Sequence, residues 1–265
     1  MKLLNILKRR IYILILLLMM VSCSKKNDPE PKQQEYFVKT IKLTFPLGGL
    51  FRESTFEYDE RNRIKDFDFK IGSITYKTLF IYNDLGLITR ANMDVSFAGP
   101  DRRYGNIFEF EYTEEILSAY KKNGTRYPVT YNAANNSYVI SFQRYHWDVN
   151  NNLTKITHST SGTSFLDINY LSGTGVFKED HVQMAFAIFS DELARASDPR
   201  PIHHAMEHFA FSKNEIGNFS LPGSINYYLS CIRDGEGNIV SYEMKNHAGD
   251  LLRKYELTYE KRDML

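Results

Sequence analysis

The chain has 265 residues, with 33 lysines and arginines against 32 aspartates and glutamates, and its formal net charge at pH 7 is +1. This balance argues against a nucleic-acid-binding protein, which needs a basic surface, and two cysteines are too few for a disulfide framework or a four-cysteine zinc site. Hydrophobic residues at 43% and charged residues at 25% exclude a disordered chain and predict an ordinary folded core.

Residues 1–22 have the pattern of a secretory signal peptide. Four lysines and arginines lie within the first ten residues, and an uncharged apolar run follows from Ile11 to Val21. This run is shorter than the stretch of about 20 apolar residues that a membrane-spanning helix needs. We therefore predict that residues 1–22 are removed from the mature protein.

The sequence Val21-Ser22-Cys23 resembles the lipobox of bacterial lipoproteins. The resemblance implies that Cys23 is lipidated, becomes the first mature residue and anchors the protein to a membrane of the cell envelope, with the outer membrane expected. A plain secretory signal followed by an accidental cysteine is the alternative. Residues 23–35 are polar and contain two prolines, which predicts a flexible tether. Cys231 would then be the unmodified cysteine, and we expect it to be buried and inert.

A short pattern recurs through the rest of the chain: Asp or Asn, two variable residues, Gly or Asn, one variable residue, then Ile or Leu. The first residue can hydrogen-bond the backbone ahead of it and start a type I turn, and the fourth can adopt a positive φ. Each copy therefore predicts a hairpin tip with a structural role. The predicted turn positions are Asp59 and Asn62, Asn83 and Gly86, Asp148 and Asn151, Asp234 and Gly237, and Asn246 and Gly249.

Between these tips, apolar and polar residues alternate with period two, which is typical of strands that bury one face. The fold class predicted is all-β: one domain over residues 36–262, built as a long antiparallel meander of about 12 to 14 strands that is curled into an open or closed barrel-like sheet. The alternating sets include Phe67, Phe69 and Ile71; Phe108, Phe110 and Tyr112; and Tyr138, Ile140 and Phe142.

Residues 179–210 interrupt the alternation. Ala185, Phe186 and Phe189 follow helical spacing, and prolines at positions 199 and 201 come later in the segment. An amphipathic helix must bury its apolar stripe. The segment is therefore predicted to be a helical insertion that plugs or caps the sheet.

Histidines near the end of this insertion are the best candidates for metal ligands. On a helix, His204 and His208 lie one turn apart, as do His203 and Glu207. The order of residues is not His-Glu-x-x-His, and no distant third ligand is indicated. We predict no metal site and no cofactor. Since the sequence contains no nucleophile elbow, phosphate loop or dinucleotide fingerprint, we also predict no catalytic residue.

The Tyr-Asp-x-x-Asn-x-Ile tip that starts at Tyr58 resembles the YD repeats of bacterial surface proteins. The layout from about Tyr36 to Tyr259, with Leu221-Pro222 before the last hairpins, resembles a family of uncharacterised bacterial lipoproteins described as a domain of unknown function with a porin-like fold. The tip after Tyr112 departs from the pattern because it has no glycine. The resemblance implies a sheet curled towards a barrel and implies no activity.

The sequence favours a lipid-anchored envelope protein that acts as a non-catalytic binding or interaction module. One alternative is a carrier of lipid or lipoprotein with an apolar cavity under a helical lid, and a second is a glycan hydrolase with two carboxylates in a cleft. Glycans and lipids are the ligand classes considered, because an exposed tyrosine or Trp147 could stack on a sugar ring or line an apolar pocket. No nucleic-acid partner is expected.

Overall fold

The computed structural model describes residues 33–46, 49–97, 103–177, 184–189, 212–221, 223 and 225–264. In these segments, sixteen antiparallel strands each pair with their neighbours in sequence, and β1 lies beside β16, which closes the sheet into a barrel. The predicted all-β meander is therefore confirmed, and the sheet is closed. The strands are β1 (Gln34–Thr44), β2 (Leu50–Tyr58), β3 (Ile64–Ile71), β4 (Ile74–Tyr82), β5 (Ile88–Ser96), β6 (Arg103–Thr113), β7 (Ile116–Lys122), β8 (Thr125–Asn132), β9 (Ser137–Ile140), β10 (Gln143–Trp147), β11 (Leu153–His158), β12 (Ser164–Thr174), β13 (Asn214–Leu221), β14 (Ile225–Arg233), β15 (Ile239–Asn246) and β16 (Leu251–Asp263).

The expected number of about 12 to 14 strands is too low. Strands β9 and β10 are short, and the two residues that join them continue the period-two alternation, so that the sequence pattern does not show the break. Ser141 has a φ of 53°, which ends the strand. Phe142, which the alternation assigned to the same strand as Tyr138 and Ile140, lies in this turn and is 50% exposed.

Residues Tyr36–Arg262 form one compact unit, which contains the barrel. Met1–Glu35 and Asp263–Leu265 group separately. Of these, the described residues pair with each other: the Met264 N–H donates to the Gln33 carbonyl at 2.7 Å, and Gln34 Nε2 donates to Asp263 Oδ1 at 3.0 Å. Among the described residues, none forms a helix that is long and apolar enough to cross a bilayer.

Four of the five recurring turns lie at the same end of the barrel. We call this end the tip end, defined by the turns that start at Asp59, Asn83, Asp148 and Asp234, each of which follows an even-numbered strand. Since β1 is antiparallel to β2, the chain also enters the compact unit at the tip end. The turn at Asn246 lies at the opposite end.

The recurring turns share one set of hydrogen bonds. In the first, the Asp59 carbonyl accepts from the Asn62 N–H at 3.1 Å, and Asp59 Oδ1 accepts from the N–H groups of Arg61 and Arg63 at 2.9 and 3.0 Å. The turns at Asp148, Asp234 and Asn246 repeat all three bonds, and at Asn83 the carbonyl accepts from the Gly86 N–H and Oδ1 accepts from the Leu87 N–H. The fourth residue of each turn has a φ between 59° and 87°, which explains why Asn and Gly occupy that position.

Tyrosine hydroxyls join adjacent hairpins at the tip end. The Tyr82 hydroxyl donates to the Ile64 carbonyl at 2.7 Å, and Ile64 is the last residue of the preceding turn motif. Burial raises the pKa of Tyr82 well above its ordinary value, so the hydroxyl keeps its proton and remains a donor. We call these bonds tyrosine links; the others, at 2.8 or 2.9 Å, join Tyr58 to Val38, Tyr112 to Ile88, Tyr170 to Leu153 and Tyr259 to Ile239.

The described interior is packed with aromatic side chains and a helical segment, α1 (184–189), whose six residues are all buried. The Phe189 ring meets the rings of Phe67, Phe80 and Phe108 edge to face, with centroids 6.2, 5.2 and 5.9 Å away. A helix that is apolar on every side belongs in a core. The insertion predicted at 179–210 thus contains a helical segment, and residues 178–183 and 190–211 lie outside the described residues.

The outer face of the sheet carries many charged residues together with single exposed apolar residues such as Ile81, Ile107 and Ile232. Lysines and acidic residues form ion pairs on this face, most of them between neighbouring strands. Along each strand, the residues that alternate with these charged residues point inward, and most of them are buried. The pairs are Lys42–Glu53 at 3.4 Å, Lys77–Asp68 at 3.6 Å, Lys121–Glu111 at 2.9 Å, Lys155–Asp167 at 3.1 Å, Lys245–Glu243 at 2.9 Å and Lys254–Glu256 at 2.7 Å.

Removing one tyrosine link should destabilise the barrel. In Tyr82→Phe the Ile64 carbonyl loses its donor, while the ring beneath the Arg63 guanidinium, 4.3 Å from its centroid, is kept. We expect a loss of about 1–3 kcal/mol in the free energy of unfolding, measured by urea denaturation. Tyr228→Phe is the control, because Tyr228 is 47% exposed. Equal stabilities of the two variants would contradict a structural role for the link.

Truncating the helical segment should cost more. Phe189 is fully buried against three other rings, and Phe189→Ala leaves a cavity among them. We expect a loss of about 3–5 kcal/mol, again measured by urea denaturation. Leu85→Ala, at a tip where the side chain is 68% exposed, should change stability by less than about 0.5 kcal/mol. A similar, small effect of both substitutions would show that α1 does not contribute to the core.

Candidate functional site

Several residues singled out in the sequence lie outside the described residues. These are Cys23 and the candidate metal ligands His203, His204, Glu207 and His208, and their roles stay predictions. Within the described segments, no group of three or more His, Cys, Asp or Glu side chains could hold a metal ion. The ten predicted turn residues occupy the turns described above, and one of them, Asn151, also lines a pocket.

Cys231 is not fully buried, contrary to expectation. The thiol, on β14, is partly exposed, and Sγ donates to Glu215 Oε1 at 3.1 Å. Burial, and then the hydrogen bond and negative charge of Glu215, raise the pKa of the thiol to about 11. Since the thiolate is the reactive form, the raised pKa keeps Cys231 protonated and unreactive at neutral pH. The pKa is raised by partial burial together with the neighbouring Glu215, and complete burial is not required.

A pocket of about 180 Å³ lies at the tip end. It is smaller than the 300–1,000 Å³ typical of sites for drug-sized ligands, so it can hold one small ring or group. Tyr112 and Leu117 face each other across β6 and β7, Tyr138 and Trp147 come from β9 and β10, and α1 contributes Met184. We call this the aromatic pocket; its apolar lining residues are Leu87, Tyr112, Leu117, Tyr138, Trp147 and Met184.

Three polar side chains complete the aromatic pocket: Glu115, Asn136 and Asn151. The Asn136 amide is held in place, since its Nδ2 donates to the Asp148 carbonyl at 3.2 Å and its Oδ1 accepts from the Tyr131 hydroxyl at 3.2 Å. Glu115 and Asn151 are exposed. The pocket therefore combines a carboxylate, amides and aromatic rings.

The tyrosines of the pocket are neutral. Burial raises the pKa of Tyr112 above its ordinary value, and burial followed by the nearby Tyr131 raises the pKa of Tyr138. The Tyr112 hydroxyl is engaged in a tyrosine link to Ile88. Its contribution to the pocket is therefore its ring, and Glu115 is the one acidic side chain among the lining residues.

The series of tyrosine links is interrupted beside this pocket. Tyr131 precedes a tip, as Tyr58 and Tyr82 do, but its hydroxyl donates to Asn136 within its own hairpin. At the next tip the tyrosine is replaced by Trp147. The indole Nε1 of Trp147 is buried and has no hydrogen-bond acceptor among the described residues. Buried tryptophan N–H groups usually have a partner, so this donor is an exception.

The turn between β6 and β7 is also unusual. Glu114 and Glu115 have φ values of 49° and 68°, in a two-residue turn that normally favours Asn-Gly. This is the tip that lacks its glycine in the sequence. Two glutamates in this conformation are unfavourable for the turn itself, and the second of them lines the pocket.

A second depression lies on the outer face of β2–β5, a groove of about 400 Å³. We call it the acidic groove; it is lined by Glu57, Asp66, Asp68 and Asp94 together with Thr55, Lys77, Leu79 and Asn92. Glu57 and Asp66 stand directly opposite each other on β2 and β3. Lys77 pairs with Asp68 at 3.6 Å.

The acidic groove does not have the arrangement of a glycoside hydrolase. In such enzymes two carboxyl groups flank the scissile bond from opposite sides. Side chains on one face of a sheet stand roughly parallel to one another, so Glu57 and Asp66 lie side by side on a single wall. Burial first, and then the charges of Glu57 and Asp68 against the opposing charge of Lys65, raise the pKa of Asp66.

The sequence indicated Trp147 as a candidate for ligand contact, but it did not predict that Tyr112, Tyr138 and Glu115 lie beside it. Their proximity depends on strand pairing and on α1, which no local pattern reports. Two signals were present in the sequence: the tip after Tyr112 lacks the Gly or Asn that the recurring tips have at their fourth position, and the tip after β10 is preceded by tryptophan, whereas tyrosine precedes the tips at Asp59 and Asn83. Both exceptions lie at the aromatic pocket.

Replacing Asp66 should stabilise the protein at neutral pH. A carboxyl whose pKa is raised on folding holds its proton more tightly in the folded state, so stability falls as the pH rises above the unfolded value of about 3.9. Asp66→Asn removes this loss, and we expect a gain of about 0.2–1 kcal/mol at pH 7 that shrinks towards pH 4. Thermal unfolding at both pH values measures it.

Asp68→Asn is the matched control for this substitution. Asp68 lies two residues along the same strand and forms the ion pair with Lys77, so its replacement should bring no gain. If Asp66→Asn melts at a lower temperature than the unmodified protein at pH 7, the prediction is wrong. Such a result would show that neighbouring positive charges already compensate the cost of the Asp66 carboxylate in the groove.

No family model matches this chain, and no curated protein matches it. Two solved structures are similar at low identity: a porin-like protein from Bacteroides uniformis, 14% identical over 87% of this chain and 99% of that chain with a TM-score of 0.32, and a porin-like protein from Bacteroides vulgatus, 11% identical over 85% of this chain and 99% of that chain with a TM-score of 0.39. The membership of a lipoprotein family that the sequence suggested stays a prediction.

Proposed function

We propose that this protein is a lipid-anchored protein of the bacterial cell envelope, with the outer membrane expected, and that its barrel is a rigid scaffold for non-catalytic binding at the tip end. The observation that carries the proposal is the polarity of the sheet. Many inward-facing residues are aromatic, and some of their rings pack against α1. Charged residues on the outer face form ion pairs, beside single exposed apolar residues such as Ile81, Ile107 and Ile232.

This polarity supports a role outside the lipid. A barrel that spans a membrane faces the lipid with an apolar band and encloses a polar interior, and lysine or arginine on the lipid face costs about 2–4 kcal/mol at the midplane. Lys121 and Lys155 stand on the outer face and pair with Glu111 and Asp167. A lipid on Cys23 would then supply the membrane attachment that the sheet does not provide.

The predicted anchor and the tip end are close along the chain. Cys23 lies thirteen residues before Tyr36, where the chain enters the compact unit at the tip end. Thirteen extended residues span at most about 45 Å. The start of β1 at the tip end would therefore stay within about 45 Å of the membrane surface.

The alternatives have less support. A lipid carrier needs an apolar cavity beneath the helical insertion, whereas in the described part of that segment Phe186 and Phe189 fill the space. A glycan hydrolase needs carboxylates on two sides of a cleft, whereas Glu57 and Asp66 share one wall.

Membrane anchoring can be tested by replacing the predicted lipid attachment residue. We expect the unmodified protein in the membrane fraction of cell extracts and Cys23→Ser in the soluble envelope fraction, because the substitution removes the only thioether site that the lipobox implies. Cys231→Ser is the matched control and should leave the protein in the membrane fraction. Unchanged fractionation of Cys23→Ser would refute anchoring through this residue.

A further inference from the structure

We infer that the aromatic pocket binds one neutral sugar ring. The inference rests on the proposed role as a non-catalytic binding module and names its ligand class. It starts from the gap in the tyrosine links: at two consecutive hairpins, those of Tyr131 and Trp147, the bond to the preceding hairpin is missing. The aromatic pocket lies at this gap, where the sheet leaves both space and an unsatisfied donor.

Hydrogen bonding separates a sugar from other small ligands. The Trp147 N–H can only donate, so a ligand seated beside it must offer an acceptor. Glu115 accepts, and the exposed Asn151 amide can do both. A sugar hydroxyl is both donor and acceptor, and can satisfy all three groups. A cation such as a quaternary ammonium ion would leave the indole donor without an acceptor.

The shape and surface of the pocket agree with this ligand. A volume of about 180 Å³ suits one ring rather than an acyl chain. Tyr112, Tyr138 and Trp147 supply aromatic surface for the apolar face of the ring, and Met184 adds a polarisable thioether side chain. Most of the polar lining lies on turns at the rim, where a terminal sugar of a glycan can enter.

The strained turn supports a role for Glu115 beyond the fold. A glutamate at a φ of 68° is not the residue that a two-residue hairpin turn favours. Its side chain is exposed, so it contributes little to the core. A carboxylate that binds sugar hydroxyls gives this residue a function at the position where the turn chemistry disfavours it.

Trp147 is the single tryptophan of the chain, so its fluorescence reports on this pocket alone. The experiment titrates the full mature chain, held in a detergent without a sugar headgroup, with methyl glycosides of neutral hexoses and of N-acetylhexosamines, and with choline as the cationic probe. We expect a saturable change in Trp147 fluorescence with at least one glycoside and none with choline.

Two variants assign the signal to the pocket. Glu115→Gln should weaken the apparent affinity about tenfold, because a charged hydrogen-bond acceptor is lost, while Glu236→Gln, at the exposed tip of another turn, should leave it unchanged. Trp147→Phe keeps a ring but removes the donor, and calorimetry should show weaker binding of the same glycoside. Each variant is first checked for cooperative unfolding.

The outcomes separate the ligand class from the proposed function. No saturable response to any glycoside, a response to choline, or equal affinities of Glu115→Gln and Glu236→Gln would each overturn the sugar assignment. Anchoring is measured independently through Cys23→Ser. A negative titration by a protein that still fractionates with membranes therefore rejects the sugar and leaves the envelope role standing.

Discussion

Filling the interior is the constraint on which this structure depends. A barrel of about eight strands is just wide enough for its own side chains to fill it, and barrels of 16 to 18 strands leave a channel unless something occupies it. This chain closes sixteen strands and occupies the described interior with inward-facing phenylalanines and α1, where Phe189 contacts rings from three strands. The largely polar outer face follows from this constraint, because most of the apolar residues of the strands pack inside.

The tyrosine links solve a second problem, which is the alignment of adjacent hairpins. Backbone pairing fixes the register within the sheet, but the turns at the tip end project beyond it. A buried hydroxyl that donates to the carbonyl of the preceding hairpin, as Tyr82 does to Ile64, joins each tip to its neighbour at the cost of one side chain. At the seam between the last strand and the first tip, Arg262 has a similar role: it donates to the Asp59 carbonyl and to Asn62 Oδ1, both at 2.8 Å.

Local chemistry explains which parts of the structure were predictable. The turns depend on residues three positions apart, so Asp59 and Asn62 could be recognised from the sequence, and the alternation of Phe67 and Phe69 indicated a buried sheet face. The β9–β10 turn escaped because Phe142 continues the alternation through it. Closure of the sheet, the tyrosine links and the aromatic pocket depend on the proximity of residues far apart in sequence, such as Tyr112 and Met184, which line one pocket. Period and spacing do not encode this proximity.

The position of the aromatic pocket follows from these constraints together. With the described interior packed, a ligand site has to lie on the outer face or at a rim. The tip-end rim is held together by the tyrosine links, and the aromatic pocket lies beside the hairpins that lack a link. Tyr131 and Trp147 provide that gap, and Asn136 holds it open by bonding to both the Tyr131 hydroxyl and the Asp148 carbonyl. The hairpins of Tyr131 and Trp147 therefore mark, within the repeat that builds the barrel, a place at the tip end where a ligand can bind.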